Sequence, residues 1–117
     1  GIMKVATRLL QAFFVVCILI HVYGLYSPIT DESVTSHIIH IISYTLCLLG
    51  LGLLSAPSLL FYSIGVLYPF YYHFSFLVKQ LIADHSINFI CLLVSVVLPA
   101  GWLLFRKNST QNTEQHA

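Results

Sequence analysis

Charge is what this sequence has least of. Only 8% of its 117 residues are Asp, Glu, Lys or Arg, where a soluble domain carries about 25%. So few charges cannot clothe a surface that faces water. With a mean hydropathy of +0.89, the class that follows is an integral membrane protein, and the length suits one compact bundle. The net charge of +1 leaves no basic footprint, so nucleic acid is not an expected partner. Paired cysteines are lacking as well. Cys17, Cys47 and Cys91 lie far apart, odd in number and without a C-x-x-C pair, which speaks against a disulfide framework or a disulfide-forming oxidase. Buried small residues are the simpler reading of all three. A single methionine leaves a thioether copper(I) pathway without ligands. No acidic residue lies deep within an apolar run, which removes the central group of proton-coupled export. No His-x-x-x-His pair and no phosphate-binding loop occurs, and no reaction can be named from the residues.

What is present is four apolar stretches, each near the ~20 residues that a spanning helix needs. The first, about 5–26, follows Lys4 and Arg8 as a signal peptide would. It is longer than a usual signal core and lacks a small-x-small cleavage site, so a retained span is expected. The polar turn SPITDESVTS comes next, with Thr35 and Ser36 as candidate N-caps of a second span over 37–54. Ser55-Ala56-Pro57-Ser58 is a break, and Pro57 is placed to open the third span, 58–80. Pro69 near its middle predicts a kink that aims His73 inward. Asp84 and His85 mark a turn, and the fourth span runs over 86–105, closed by Arg106 and Lys107. The polar tail, 108–117, is expected to be disordered.

The architecture expected is all-α, a four-helix transmembrane bundle. Basic residues flank both ends and the first loop holds only acids, so both termini are expected on the cytoplasmic side of a plasma or inner membrane. Lys79 alone pulls the other way.

The spans are not uniformly apolar. In SHIIHIISYTLCLLGLGLL, from Ser36 to Leu54, His37, His40, Tyr44 and Cys47 recur at steps of three, four and three. On a helix these fall within an arc of roughly 80°, which lipid would not tolerate and other helices must cover. Alternating spans put His21, His37, His40, His73 and His85 at one end of the bundle. At 1.5 Å per residue His21, His40 and His73 lie at similar depths, ~7, ~6 and ~9 Å inside their span ends. Three imidazoles from three helices thus share a layer, with His37 and His85 nearer its entrance. Tyr23, Tyr26, Tyr44, Tyr71 and Tyr72 lie close enough to orient them. Asp31, Glu32 and Asp84 read most simply as solvated loop charges, with Asp84 near enough to be recruited.

Neutral imidazole is the commonest metal ligand, and three of them with a water or carboxylate make an open zinc, copper or iron site. Two on facing helices could instead hold a haem iron. The first functional expectation is therefore a metal ion or haem bound in the outer half of the bundle, for uptake, sensing or electron transfer. A second is structural: an accessory subunit of a larger membrane complex, or a homo-oligomer, whose histidines make interhelical hydrogen bonds worth about 0.6 to 2 kcal/mol each. A third is a pH-responsive contact, because clustered histidines charge together near pH ~6 and repel.

Overall fold

Four helices follow one another: α1 (Ile2–Tyr26), α2 (Val34–Gly50), α3 (Leu59–Asp84) and α4 (Phe89–His116). The computed structural model describes residues 1–27, 30–54 and 56–116, with side chains as far as residue 107, and contains no strand among them. Pro28 of the first turn, Ser55 of the second and the side chains of the tail lie outside the described residues.

The helix ends differ from the expected ones for local reasons. Ser33, not Thr35 or Ser36, caps α2, its hydroxyl accepting the Ser36 N–H at 3.1 Å. That leaves the Ser36 side chain free to turn inward. α2 stops at Gly50 rather than Leu54, and the chain reverses through Gly52 at φ 85°, a region open chiefly to glycine. Ser58 caps α3 through the Phe61 N–H at 3.3 Å, so Pro57 precedes the cap instead of occupying the first turn. α3 continues past Gln80 to Asp84 and runs through Pro69 unbroken. Asn88 accepts the Cys91 N–H at 3.0 Å, and α4 therefore begins at Phe89. It continues as helix to His116 where a disordered tail was expected; no glycine or proline interrupts it there.

α1 packs on α2, α2 on α3 and α3 on α4, while α1 and α4 meet only briefly. The backbones of α2 and α3 approach closely at Gly65, where an added Cβ would stand 2.6 Å from the Ser43 carbonyl oxygen and 2.7 Å from Cys47 Sγ. A glycine at such a crossing lets the two backbones approach closely. The apolar core holds Phe14, Tyr44, Cys47, Leu48, Tyr62 and Leu98. Phe14 meets Tyr62 edge-on with centroids 5.8 Å apart, and the Tyr62 hydroxyl donates to the Leu98 carbonyl at 3.3 Å.

Besides the apolar core, many large apolar side chains are exposed and several polar ones are buried. Ile2, Leu54, Ile82 and Phe89 are all more than 70% exposed, whereas Gln11, His21, Ser36, His37, His40, Ser43, His73 and Ser95 are buried. α1 and the stretch Phe89–Lys107 of α4 are long and apolar enough to cross a membrane. α2, at 17 residues, is shorter, and α3 is diluted by four tyrosines, a histidine, a lysine and a glutamine.

Candidate metal centre

His40 sits at the centre of the polar end and is fully buried. Its Nδ1 lies 2.5 Å from Glu32 Oε2 and 3.1 Å from the Ser36 carbonyl oxygen. Both are acceptors, so the hydrogen belongs on Nδ1, and in the neutral imidazole a lone pair remains on Nε2. That Nε2 is buried without a hydrogen-bond partner. A carboxylate on one nitrogen of an imidazole orients the ring and raises the basicity of the other, the arrangement common behind metal-ligating histidines.

Glu32 arrives from the loop just ahead of α2, and its side chain is only 6% exposed. Its Oε2 also accepts the Ser36 hydroxyl at 2.7 Å. Having given its hydrogen to the carboxylate, Ser36 accepts that of the Tyr68 hydroxyl, 2.7 Å away. A directed chain thus runs from Tyr68 through Ser36 to Glu32, with His40 donating from the other side. Burial works to raise the Glu32 pKa. The hydrogen bonds from His40 and Ser36, with the imidazoles close by, outweigh it and hold the group down at about 2. The carboxylate is therefore ionised.

His21, from the last turns of α1, stacks on His40 with centroids 4.2 Å apart and planes 11° from parallel. Its Nδ1 lies 2.8 Å from Nδ1 of His37, and Glu32 Oε1 is 3.7 Å from each of these two nitrogens. The His37 ring rests on the backbone of Gly24, where an added Cβ would come within 2.6 Å of Cε1. From α3, His73 donates its Nδ1 hydrogen to the Pro69 carbonyl at 2.8 Å, which leaves Nε2 free, and its ring meets that of His40 edge-on at 5.2 Å. One nitrogen each from His21, His40 and His73 lie within 4.8 Å of one another, and so do donor atoms of His21, Glu32 and His37. Donors around an ion with bonds of 2.0–2.1 Å stand about 3.3 Å apart. The three imidazoles would have to close by up to about 1.5 Å to hold one.

Of the five histidines expected at this end, the fold brings His21, His37, His40 and His73 together. His85 stays apart. α3 continues to Asp84, so His85 becomes its exposed C-cap at φ 54°, twelve residues or ~18 Å along the helix from His73. Asp84 is exposed beside it and is not recruited. Tyr44 and Tyr72 pack against His40, as does Tyr68, while Tyr23, Tyr26 and Tyr71 face outward. Cys17, Cys47 and Cys91 are buried, free and outside both donor groups. Sequence reasoning missed Glu32, which it set with Asp31 as a solvated charge. Glu32 lies in the loop ahead of α2, outside any helical stripe, so its spacing from Ser36 and His40 gave no signal.

Compared with known proteins, the chain matches no described family, no curated protein and no solved structure.

Proposed function

We propose that this chain is a small integral membrane protein that binds a transition-metal ion between His21, His40 and His73, near one face of the bilayer, in the service of uptake, sensing or electron transfer. The observation that carries the reading is the tautomeric arrangement. His40 and His73 each spend Nδ1 on an acceptor, Glu32 and the Pro69 carbonyl, and present Nε2 as a lone pair. In His40 that lone pair is buried and unused. Three nitrogen donors without a thiolate suit zinc, iron or copper(II) better than soft copper(I). A metal ion is favoured over haem, because His21 and His40 stack too closely for a macrocycle to pass between their rings. Membrane insertion is supported by the apolar outer faces and by two helices of spanning length. With basic residues at both ends, the cluster would lie toward the extracytoplasmic side.

The test is metal content and melting of the purified chain, with and without chelator, for the parent and for His21→Ala, His40→Ala and His73→Ala. Each substitution should remove most of the metal at this position, since two imidazoles hold a divalent ion far less well than three. Equal melting of the parent with and without chelator would defeat the reading. A second reading, an accessory subunit of a larger membrane complex, draws on an apolar cleft of about 360 Å³ between α3 and α4, lined by Ser63, Leu67, Phe70, Leu98, Pro99 and Trp102. Co-purification in mild detergent tests it.

A further inference from the structure

We infer that Nδ1 of His21, Nδ1 of His37 and Oε1 of Glu32 form a second divalent-cation position, closer to the first loop than the three-imidazole position. The inference rests on the metal-binding reading of the cluster and adds a second ion to it. Its warrant is metric. The three atoms make a triangle with sides of 2.8, 3.7 and 3.7 Å. The point equidistant from its corners is about 2.0 Å from each, and that is the bond length of zinc to imidazole nitrogen and carboxylate oxygen. Spreading the two nitrogens and drawing in the oxygen by about half an ångström each would give the ~3.3 Å spacing of a tetrahedral ion.

The surroundings fit a cation. Glu32 supplies one full negative charge, and its Oε1 lies beyond hydrogen-bonding distance of both imidazoles, while Oε2 is occupied by His40 and Ser36. His21 and His37 are both buried, so their nitrogens can trade the hydrogen bond between them for a metal bond with little further loss of water. In the metal-free protein one hydrogen lies between the two Nδ1 atoms. An ion takes its place, and the hydrogen moves to Nε2 of the ring that carried it. The two positions are joined. With both ions bound, His21 bridges them as an imidazolate with one nitrogen on each, and the hydrogen of its ring is released to water, as metal binding displaces protons from its ligands. Glu32 reaches this ion with one oxygen and orients His40 with the other. Two imidazoles and a carboxylate suit zinc, iron(II) or manganese(II).

The experiment is a titration of the purified full-length chain in mild detergent with Co²⁺ alone. Visible absorption and bound-metal analysis are followed together. The parent should take up about two equivalents. His37→Ala should lose one and keep the other, and His37→Gln serves if the alanine variant does not fold. Gly24→Ala, which alters no ligand but pushes a methyl group into the His37 ring, should weaken the same ion at least tenfold and leave the other unchanged. His73→Ala should have the opposite selectivity. A single ion that survives His37→Ala and Gly24→Ala but is lost in His73→Ala would overturn the second position and leave the three-imidazole reading standing. A single ion lost in His37→Ala and indifferent to His73→Ala would do the reverse. No uptake by a folded, helical parent would overturn both.

Discussion

Glu32 and His40 set each other's chemistry. The carboxylate fixes the imidazole tautomer, and the imidazole, with Ser36, keeps the carboxylate ionised although it is buried. The groups around Glu32 are His21 from α1, Ser36, His37 and His40 from α2, and through Ser36 the Tyr68 hydroxyl from α3. A carboxyl held at about 2 in the fold, against an ordinary value of 4.5, adds stability that is complete above pH 4.5 and lost as pH falls toward 2. Glu32→Gln should lower the stability of the metal-free chain at neutral pH by about 1 to 3 kcal/mol, the range for breaking buried hydrogen bonds to a charge. The gap between parent and variant melting temperatures should then narrow as pH falls through that window. A gap that stays constant in acid would mean that the charge contributes nothing. Glu32 escaped the sequence reading because loop acids are usually solvated, and nothing local says which of two adjacent acids turns inward. Asp31, its neighbour, is exposed.

At the scale of elements, α2 is the helix on which α1 and α3 both pack, and its stripe of His37, His40, Tyr44 and Cys47 is buried throughout. That stripe was legible from spacing alone, because an apolar helix with one polar arc has only one face that lipid will not accept. The close approach at Gly65 was not. It depends on two backbones meeting, which no single helix encodes. Gly65→Ala puts a Cβ against the Ser43 carbonyl and Cys47, part of it rigid backbone, so overpacking should cost about 1 to 3 kcal/mol. Removing the cap in Ser33→Ala should cost about 1 kcal/mol. Chemical denaturation in detergent measures both. A Gly65→Ala variant as stable as the parent would show that α2 and α3 can separate there freely. The helices α2 and α3 end up to about four residues from the expected span limits: several serines and threonines compete for the start of α2, and the turn through Gly52 and the left-handed His85 set the C-terminal ends.

For the whole molecule, the reading of four spans requires the two termini on one side. Reporter fusions before α1 and after Ala117 should both report the cytoplasm, given the basic residues at either end. Reporters on opposite sides would mean an odd number of spans and would separate the histidines across the bilayer. The brief contact of α1 with α4 leaves the bundle closed chiefly by α2 and α3. The histidine cluster accordingly draws on α1, α2 and α3, and α4 supplies none of its donors among the described residues.

Composition alone set the expectation of a largely apolar exterior, since 8% charged residues are too few to cover it, and many large apolar side chains are indeed exposed. Helical periodicity and the up-and-down order of four apolar stretches placed His21, His37, His40, His73 and His85 at one end, and the first four do converge. Depth along a helix is simple arithmetic at 1.5 Å per residue. Tertiary structure decided the rest. It carried α3 on to Asp84 and so removed His85 from the group, and it turned Glu32 inward onto His40. It also brought two imidazole nitrogens and a carboxylate oxygen within 3.7 Å of one another. Those outcomes depend on sub-ångström packing between separate helices, and the periodicity of one helix holds no information about the distance to the next.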